Sequence, residues 1–297
     1  MASALRESAA WLDLGDRGRI FVTGRDRVRL LHNITTNHVK QLTAGRGCYA
    51  FILTPQGRIQ ADLNLLALED RFLVDVEPEA RERVPELIRK YIIADDVKLE
   101  DAGEALTTIA VEGPRAGEAL AAAGAPAPEA VYAHAAWGDA RVARISATGQ
   151  PGFRIFVPSA EKDGLIARLA LPAASREEAG ALRIENGVPR FPDDLAEALP
   201  QETRQLHGVH FQKGCYLGQE IVERIRARGH VNRELVRLVV EGAAAPGSKL
   251  VAADGQEAGL ITSAAYSRAL GKTVALGYAR VGTGPQYKVN GQAAVAA

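Results

Sequence analysis

The sequence predicts an α+β protein made of two ferredoxin-like halves, followed by a small C-terminal β-barrel. Groups of two strands, a helix and a further strand recur over residues 1–232, as in ferredoxin-like units. Over residues 233–297 the pattern changes to short alternating runs separated by glycine turns, which is typical of a small barrel. A chain of 297 residues, 47% of them hydrophobic, is long enough for more than one domain.

Each element follows from the local spacing of apolar residues, which alternates in strands and recurs every three to four residues in helices. The predicted strands of the first part are 19–23, 47–53, 58–68, 71–76, 97–100 and 106–111. Its predicted helices are 24–31, 78–91, 114–124 and 175–185. The predicted barrel strands are 235–240, 249–251, 259–263, 274–280 and 287–289.

Composition excludes several classes of protein. The formal net charge is zero, which argues against charge-driven binding of nucleic acid or membrane surfaces, so neither partner is expected. Two distant cysteines give no disulfide framework and indicate a reducing compartment. We found no bilayer-length apolar run and no secretory pattern, so a cytoplasmic location is expected.

The second strand of the predicted hairpin, 58–68, carries polar side chains on one face. Gln60, Asp62 and Asn64 alternate with apolar residues, and side chains two apart share a face of a strand. Such a face can point to solvent, the usual state of an antiparallel sheet. It can also line a polar cavity that holds a heteroaromatic ligand by its hydrogen-bonding edges. Both interpretations remain open at this stage.

Residues 211–220 surround Cys215, one of the two cysteines, with Gly214 and Gly218 on either side. These glycines permit a tight turn, and a strong helical pattern begins at Gln219. A thiol near a helix N-terminus and near Lys213 is expected to have a lowered pKa. The alternative is a structural cysteine in a glycine turn. His207, His210 and His230 match no zinc spacing with Cys215, and no metal site is predicted.

The run Lys213-Gly214-Cys215-Tyr216-x-Gly218-Gln219-Glu220 resembles the hallmark of the YgfZ family of folate-binding proteins. That family is a branch of the group that contains the T-protein, the aminomethyltransferase of the glycine cleavage system. The resemblance covers nearly the whole chain. It implies the T-protein-type (GcvT-like) fold, in which two interleaved α+β subdomains and a C-terminal barrel surround a central folate site.

The resemblance also implies site residues. Residues 148–155 resemble the T-protein segment Thr-Gly-Glu-x-Gly-Phe-Glu-Ile, in which the first glutamate contacts the folate pterin, and Gln150 replaces that glutamate. Asp62 lies at or next to the position of a folate-site carboxylate. Cys215 would be the reactive or cluster-handling thiolate, and Lys213 would tune it. The implied folate contacts are Asp62, Gln60, Asn64, Gln150, Arg183, Tyr216, Gln219, Glu220, Arg226 and Arg228.

The implied function is that of a tetrahydrofolate-binding accessory protein, not itself an enzyme, that supports iron–sulfur cluster assembly or repair. Its partners would be client enzymes such as a tRNA methylthiolase. The alternative is a folate-dependent aminomethyl or methyl transferase, against which Gln150 and Cys215 argue. A third possibility is a pure binding module in which Cys215 is structural. Arg226 and Arg228 predict a preference for polyglutamylated folate, because each added carboxylate offers a charge-assisted contact.

Overall fold

The computed structural model describes residues 3–296, which form sixteen strands and seven α-helices. The strands are β1 (Ala10–Asp13), β2 (Gly18–Thr23), β3 (Arg46–Leu53), β4 (Ile59–Ala67), β5 (Phe72–Val76), β6 (Lys98–Asp101), β7 (Leu106–Glu112), β8 (His134–Trp137), β9 (Ala140–Ala143), β10 (Gly152–Pro158), β11 (Arg233–Val240), β12 (Lys249–Ala252), β13 (Glu257–Ser267), β14 (Lys272–Arg280), β15 (Gln286–Val289) and β16 (Gln292–Ala296). The helices are α1 (Ala4–Glu7), α2 (Arg27–Ile34), α3 (Arg83–Arg89), α4 (Ala116–Ala122), α5 (Lys162–Leu169), α6 (Arg176–Glu185) and α7 (Gln219–Arg228).

Two antiparallel five-stranded sheets form the first part of the chain. Their strand orders are β3-β4-β5-β2-β6 and β1-β7-β10-β9-β8. Strand β1 belongs to the second sheet, although the chain then builds the whole first sheet before it returns to β7. The two halves are therefore interleaved. Strands β11 to β16 close into a six-stranded barrel, so the predicted fold class is confirmed.

Strand β4 shows how the sequence pattern builds the first sheet. Ile59, Ala61 and Leu63 alternate along the strand and lie in a core with residues of α2 and α3. Burial of each large apolar side chain stabilises the fold by roughly 1.5–3 kcal/mol. The polar residues between them point to the other face, which turns toward the second sheet. The second sheet buries its own apolar face against α4 and α5.

The two sheets also pack against each other. Leu66 and Leu73 of the first sheet contact a cluster with Ile145 and Phe156 of the second half. The barrel is joined to this body through α6. Ile184 packs with Leu235, Leu276 and Tyr278 of the barrel, and Arg237 Nη1 donates to the carbonyl oxygen of Glu185 at 2.6 Å.

Several boundaries differ from the sequence predictions. Helix α2 begins at Arg27 rather than at 24, because Gly24 has a φ of +102° and packs directly against the backbone of Asp96. The predicted helix 78–91 is divided into a 3-10 turn and α3. Strands β1, β8, β9, β10 and β16 and helices α1 and α5 were not among the predicted elements. Within residues 3–296, no helix has the length and hydropathy required to cross a bilayer.

Candidate functional site

A cavity of about 500 Å³ lies where the two sheets and α6 meet. Tyr49, Asp62 and Asn64 of the first sheet line one side, and Arg154 of β10 lines another. The polar face of β4 therefore faces a cavity rather than open solvent at Asp62 and Asn64. A cavity of this size is in the range that holds a small organic ligand.

Asp62 presents a carboxylate in this cavity. The hydroxyl of Tyr49 donates to Asp62 Oδ2 at 2.9 Å. Asp62 Oδ1 is buried and has no hydrogen-bond partner among residues 3–296. Burial, together with the negative charge of Glu77, raises the pKa of Asp62 to about 6. Asp62 can therefore accept a hydrogen bond from a ligand, and it can exchange a proton near neutral pH.

A buried ion network supports the floor of the cavity. The Asp75 carboxylate is 0% exposed and accepts from Arg17 Nε at 2.7 Å and from Asn64 Nδ2 at 3.0 Å. Arg154 Nη1 also donates to it. Burial alone would raise the pKa of Asp75, but Arg17 and Arg154 hold it below its ordinary value. The Asp75 carboxylate thereby fixes Asn64 and Arg154, which line the cavity together with Asp62.

The network continues along the cavity wall. Arg17 also donates to Glu77, and Arg190 Nε donates to Glu77 Oε2 at 3.0 Å. Arg190 Nη2 reaches Glu79 Oε2 at 2.6 Å. Burial would lower the pKa of Arg17, but Asp75 and Glu77 raise it overall, so this guanidinium stays charged. The wall is thus a set of matched charges in a fixed arrangement.

His207 is a cavity residue that the sequence did not identify as such. Its ring stacks on Tyr49, with a centroid distance of 5.1 Å and an interplanar angle of 24°. Burial lowers the pKa of His207, so the neutral ring is favoured. Both rings line the cavity that Asp62 also lines. No local pattern marks His207, because its partner Tyr49 lies on a distant strand.

Arg154 is the second residue that the sequence analysis missed. The segment 148–155 places Arg154 at the second glutamate of the T-protein pattern Thr-Gly-Glu-x-Gly-Phe-Glu-Ile, so the charge at that position is reversed. Arg154 lines the cavity, whereas Gln150 does not. The contact expected from Gln150 stays a prediction. The side chain of β10 that reaches the cavity is Arg154, four residues further along.

Two other residues expected to contact folate make hydrogen bonds within the protein. Arg183 lines the cavity, but its Nη1 donates to Asp194 Oδ2 at 2.8 Å and its Nη2 to Ser263 Oγ of the barrel at 2.9 Å. It thus ties α6 to the barrel. Gln60 lies outside the cavity lining, and its Nε2 donates to the carbonyl oxygen of Leu53 at 2.9 Å.

Cys215 lies in a tight turn that is separate from the cavity. Gly214 and Gly218 have φ values of +93° and +79°, and α7 begins at Gln219. The Cys215 residue is exposed. A Cβ on Gly218 would meet the carbonyl oxygen of Thr54 at 2.5 Å, so the turn docks closely on the β3–β4 hairpin tip. Asp62 lies about 16 Å along β4 from that tip, given the rise per residue of a strand.

Lys213 fixes this turn to α2. Its buried Nζ donates to the carbonyl oxygens of His32 and of Thr35, the latter at 2.6 Å. The ammonium also lies 4.7 Å from the ring centroid of Tyr216. Burial lowers the pKa of Lys213 to about 8. Lys213 therefore braces the turn at the end of α2, a role beyond the tuning of Cys215 that the sequence suggested.

The remaining expected contacts lie with this turn or on α7, outside the cavity lining. Tyr216 is buried, and its N–H donates to Gln219 Oε1 at 3.3 Å. Glu220 and Arg226 are exposed, and within α7 Glu220 pairs with Arg224 and Arg226 pairs with Glu223. Arg228 is exposed near the C-terminus of that helix. The structure thus brings Asp62, Asn64 and Arg183 to the cavity, and the folate contacts expected from the turn and from α7 stay predictions.

Metal ligands are not gathered in the described part of the chain. His38 contacts His32 and His210 edge to face, each at a centroid distance of 4.9 Å. Even so, no group of three or more His, Cys, Asp or Glu side chains in residues 3–296 is arranged to hold a metal ion.

The fold and cavity define a class of protein with two interleaved sheets, a polar cavity between them and a C-terminal barrel. Residues 2–204 match the GCVT N-terminal domain, and residues 233–295 match the glycine cleavage T-protein C-terminal barrel domain. The chain belongs to the glycine cleavage T-protein family.

Known proteins support this assignment along the whole chain. The chain is similar to an aminomethyltransferase of Rubrobacter xylanophilus, with 30% identity over 93% of this chain and 77% of the relative. It is 29% identical to an aminomethyltransferase of Thermus thermophilus, over 99% of this chain and 86% of the relative. The crystal structure of aminomethyltransferase T from Bartonella henselae has the same fold, with a TM-score of 0.87, 22% identity, and coverage of 98% of this chain and 85% of that chain.

Proposed function

We propose that the protein binds tetrahydrofolate in the central cavity. The observation that carries this proposal is Asp62, whose buried Oδ1 has no partner among residues 3–296 and can accept from an N–H donor of a pterin. The rings of Tyr49 and His207 offer an aromatic contact beside it. Membership of the T-protein family is consistent with the folate cofactor that the sequence predicts.

One candidate use of bound tetrahydrofolate is transfer of an aminomethyl or methyl group. The curated relatives support it, since they are named aminomethyltransferases. Tetrahydrofolate supplies amine nitrogens that carry one-carbon units. Asp62, with its raised pKa, would hold or release a proton at its carboxylate, and Tyr49 would orient that carboxylate through its hydroxyl.

A second candidate is the accessory role in iron–sulfur cluster assembly or repair, as in the YgfZ family. The exposed Cys215 favours it, because this thiol lies on a braced turn outside the cavity, where a partner protein can reach it. Arg154 argues against the transferase, since it reverses the charge found at that position in the T-protein pattern. In this role folate and the thiol would act at separate places on one protein.

The pH dependence of folate binding tests the role of Asp62. With a pKa of about 6, Asp62 is ionised to only about one-tenth at pH 5. If the carboxylate accepts from the ligand, the affinity for 5-formyltetrahydrofolate should be about tenfold lower at pH 5 than at pH 8. Asp62→Asn should lose about tenfold or more at pH 8 and show a flat profile, because the charged acceptor is gone. An unchanged profile in Asp62→Asn would exclude Asp62 from the site.

Replacement of Cys215 separates the two candidate functions. In cells that lack the native protein, Cys215→Ala should abolish support of a tRNA methylthiolase while the purified variant still binds folate. Cys48→Ala is the matched control, since Cys48 lies half-buried in β3. Full activity of the methylthiolase with Cys215→Ala would contradict the accessory role. Tetrahydrofolate-dependent release of aminomethyl or methyl groups at ordinary enzyme rates would instead establish the transferase.

A further inference from the structure

Glu112 is a fully buried carboxylate that neither candidate function uses. It ends β7, between Ala10 of β1 and Gly152 of β10, and is 0% exposed. Its Oε2 accepts from Ser146 Oγ at 2.8 Å and from Thr148 Oγ1 at 2.7 Å. Its Oε1 accepts from the N–H of Ala147 at 2.7 Å. One side chain thus holds three consecutive residues of the loop that joins β9 to β10.

The pattern of donors requires a carboxylate at this position. Ser146 Oγ already accepts from the N–H groups of Thr148 and Gly149, at 3.1 and 2.8 Å. Thr148 Oγ1 accepts from the N–H of Gln150 at 3.3 Å. Both hydroxyl protons therefore point to Glu112, together with the N–H of Ala147. A carboxylate can accept all three. An amide would set its NH2 group against the N–H of Ala147 or, when flipped, against the hydroxyl of Ser146, whose oxygen already accepts two N–H groups.

The clamped segment forms a wall of the cavity. Ile145, Ser146, Ala147 and Gly149 line it, on the side opposite Asp62's own sheet. The far side of the segment is fixed by Asn186, whose Nδ2 donates to the carbonyl oxygen of Thr148 at 2.8 Å. The segment is therefore held from β7 on one side and from the end of α6 on the other.

The neighbouring strand β10 leaves room for the Glu112 side chain at Gly152. A Cβ on Gly152 would lie 2.5 Å from the Glu112 carboxylate, so a side chain there would displace it. Burial raises the pKa of Glu112 to about 7, and the hydrogen bonds from Ala147, Thr148 and Ser146, with the charge of Arg154, partly offset this rise. Burial of a carboxylate costs free energy. If this position served only to fill space, an uncharged side chain would fill it at a lower cost.

We propose that Glu112 is a positioning residue that fixes the segment 145–150 as a wall of the ligand cavity, and so sets the affinity for the ligand without touching it. This inference rests on the proposed binding of tetrahydrofolate in the cavity. In the unliganded protein, the loop between β9 and β10 already has the shape of the cavity wall, and the buried Glu112 carboxylate maintains that shape.

Hydrogen exchange of the unliganded protein tests the clamp independently of folate. Glu112→Gln should increase amide exchange of residues 145–150 about tenfold or more, with exchange in the barrel strands unchanged. Thr148→Val, which removes one donor to Glu112, should act in the same direction. Thr148→Ser, which keeps the hydroxyl, should behave like the wild type. If Glu112→Gln fails to fold, the comparison of Thr148→Val with Thr148→Ser still tests whether Glu112 holds the segment.

Binding of 5-formyltetrahydrofolate tests the second half of the inference. Glu112→Gln and Thr148→Val should bind it about tenfold more weakly, and Thr148→Ser should match the wild type. Unchanged protection of residues 145–150 in Glu112→Gln and Thr148→Val would contradict the role of Glu112 in holding this segment. Increased exchange of residues 145–150 with unchanged folate affinity would show that this segment does not set the affinity for the ligand. Absence of binding by the wild type would instead reject the proposed folate function, and the exchange result would still decide the clamp.

Discussion

Asp75→Ala is expected to lower the free energy of unfolding by about 3–5 kcal/mol, the usual cost of removing one partner from a buried ion network. Asp75 is 0% exposed, and the substitution would leave the guanidinium groups of Arg17 and Arg154 buried without their shared acceptor. Chemical denaturation monitored by circular dichroism measures the change. We expect the variant to lose folate binding as well, because Asn64 and Arg154 would no longer be held beside Asp62.

A matched control for this substitution lies at the turn before β5. Asp70 pairs with Arg71, but its side chain is 66% exposed. Asp70→Ala makes the same chemical change at the surface, and its effect should be below about 1 kcal/mol. Equal effects of the two substitutions would show that the Asp75 network does not stabilise the fold.

Lys213→Met is expected to have the second large effect, a decrease of about 1.5–3 kcal/mol in the free energy of unfolding. Methionine has a similar shape but leaves the buried carbonyl oxygens of His32 and Thr35 without their donor. The Cys215 turn should also loosen, since it loses its anchor on α2. Lys40→Met, at an exposed position, is the control.

The pH dependence of stability gives Lys213 a separate signature. Burial lowers its pKa from 10.5 to about 8 in the folded protein. Between these pH values the unfolded chain binds more protons than the folded chain, so this group adds stability as the pH rises from 8 to 10.5. Lys213→Met should lack that part of the increase. A variant with wild-type stability and pH dependence would contradict the bracing role.

Much of the fold was predictable from local sequence. Strand β4 alternates apolar and polar residues over its first half, and this pattern fixes which face enters the core. Helix α6 begins directly after Ser175, whose side chain accepts from the N–H of Glu178. Strand β1 was not predictable, because its four residues gain their place only by pairing with β7, far along the chain.

The candidate site was predictable only in part, because it is made by contacts between distant segments. Asp62 and Asn64 could be found from the alternation in β4, which set them on a polar face. Arg154, His207 and Glu112 could not, since their partners lie on distant segments of the chain. Arg226 and Arg228 lie outside the cavity lining, and the expected preference for polyglutamylated folate stays a prediction. Charge along one helix does not indicate which surface a ligand contacts.

Titration calorimetry with 5-formyltetrahydrofolate tests the central claim most directly, using the wild type, Asp62→Asn and Cys215→Ala at pH 8. We expect one ligand to bind per chain in the wild type and in Cys215→Ala with equal affinity, and at least tenfold more weakly in Asp62→Asn. Absence of binding by the wild type would contradict the assignment of a folate cavity. Binding that depends on Cys215 but not on Asp62 would place the ligand at the turn instead.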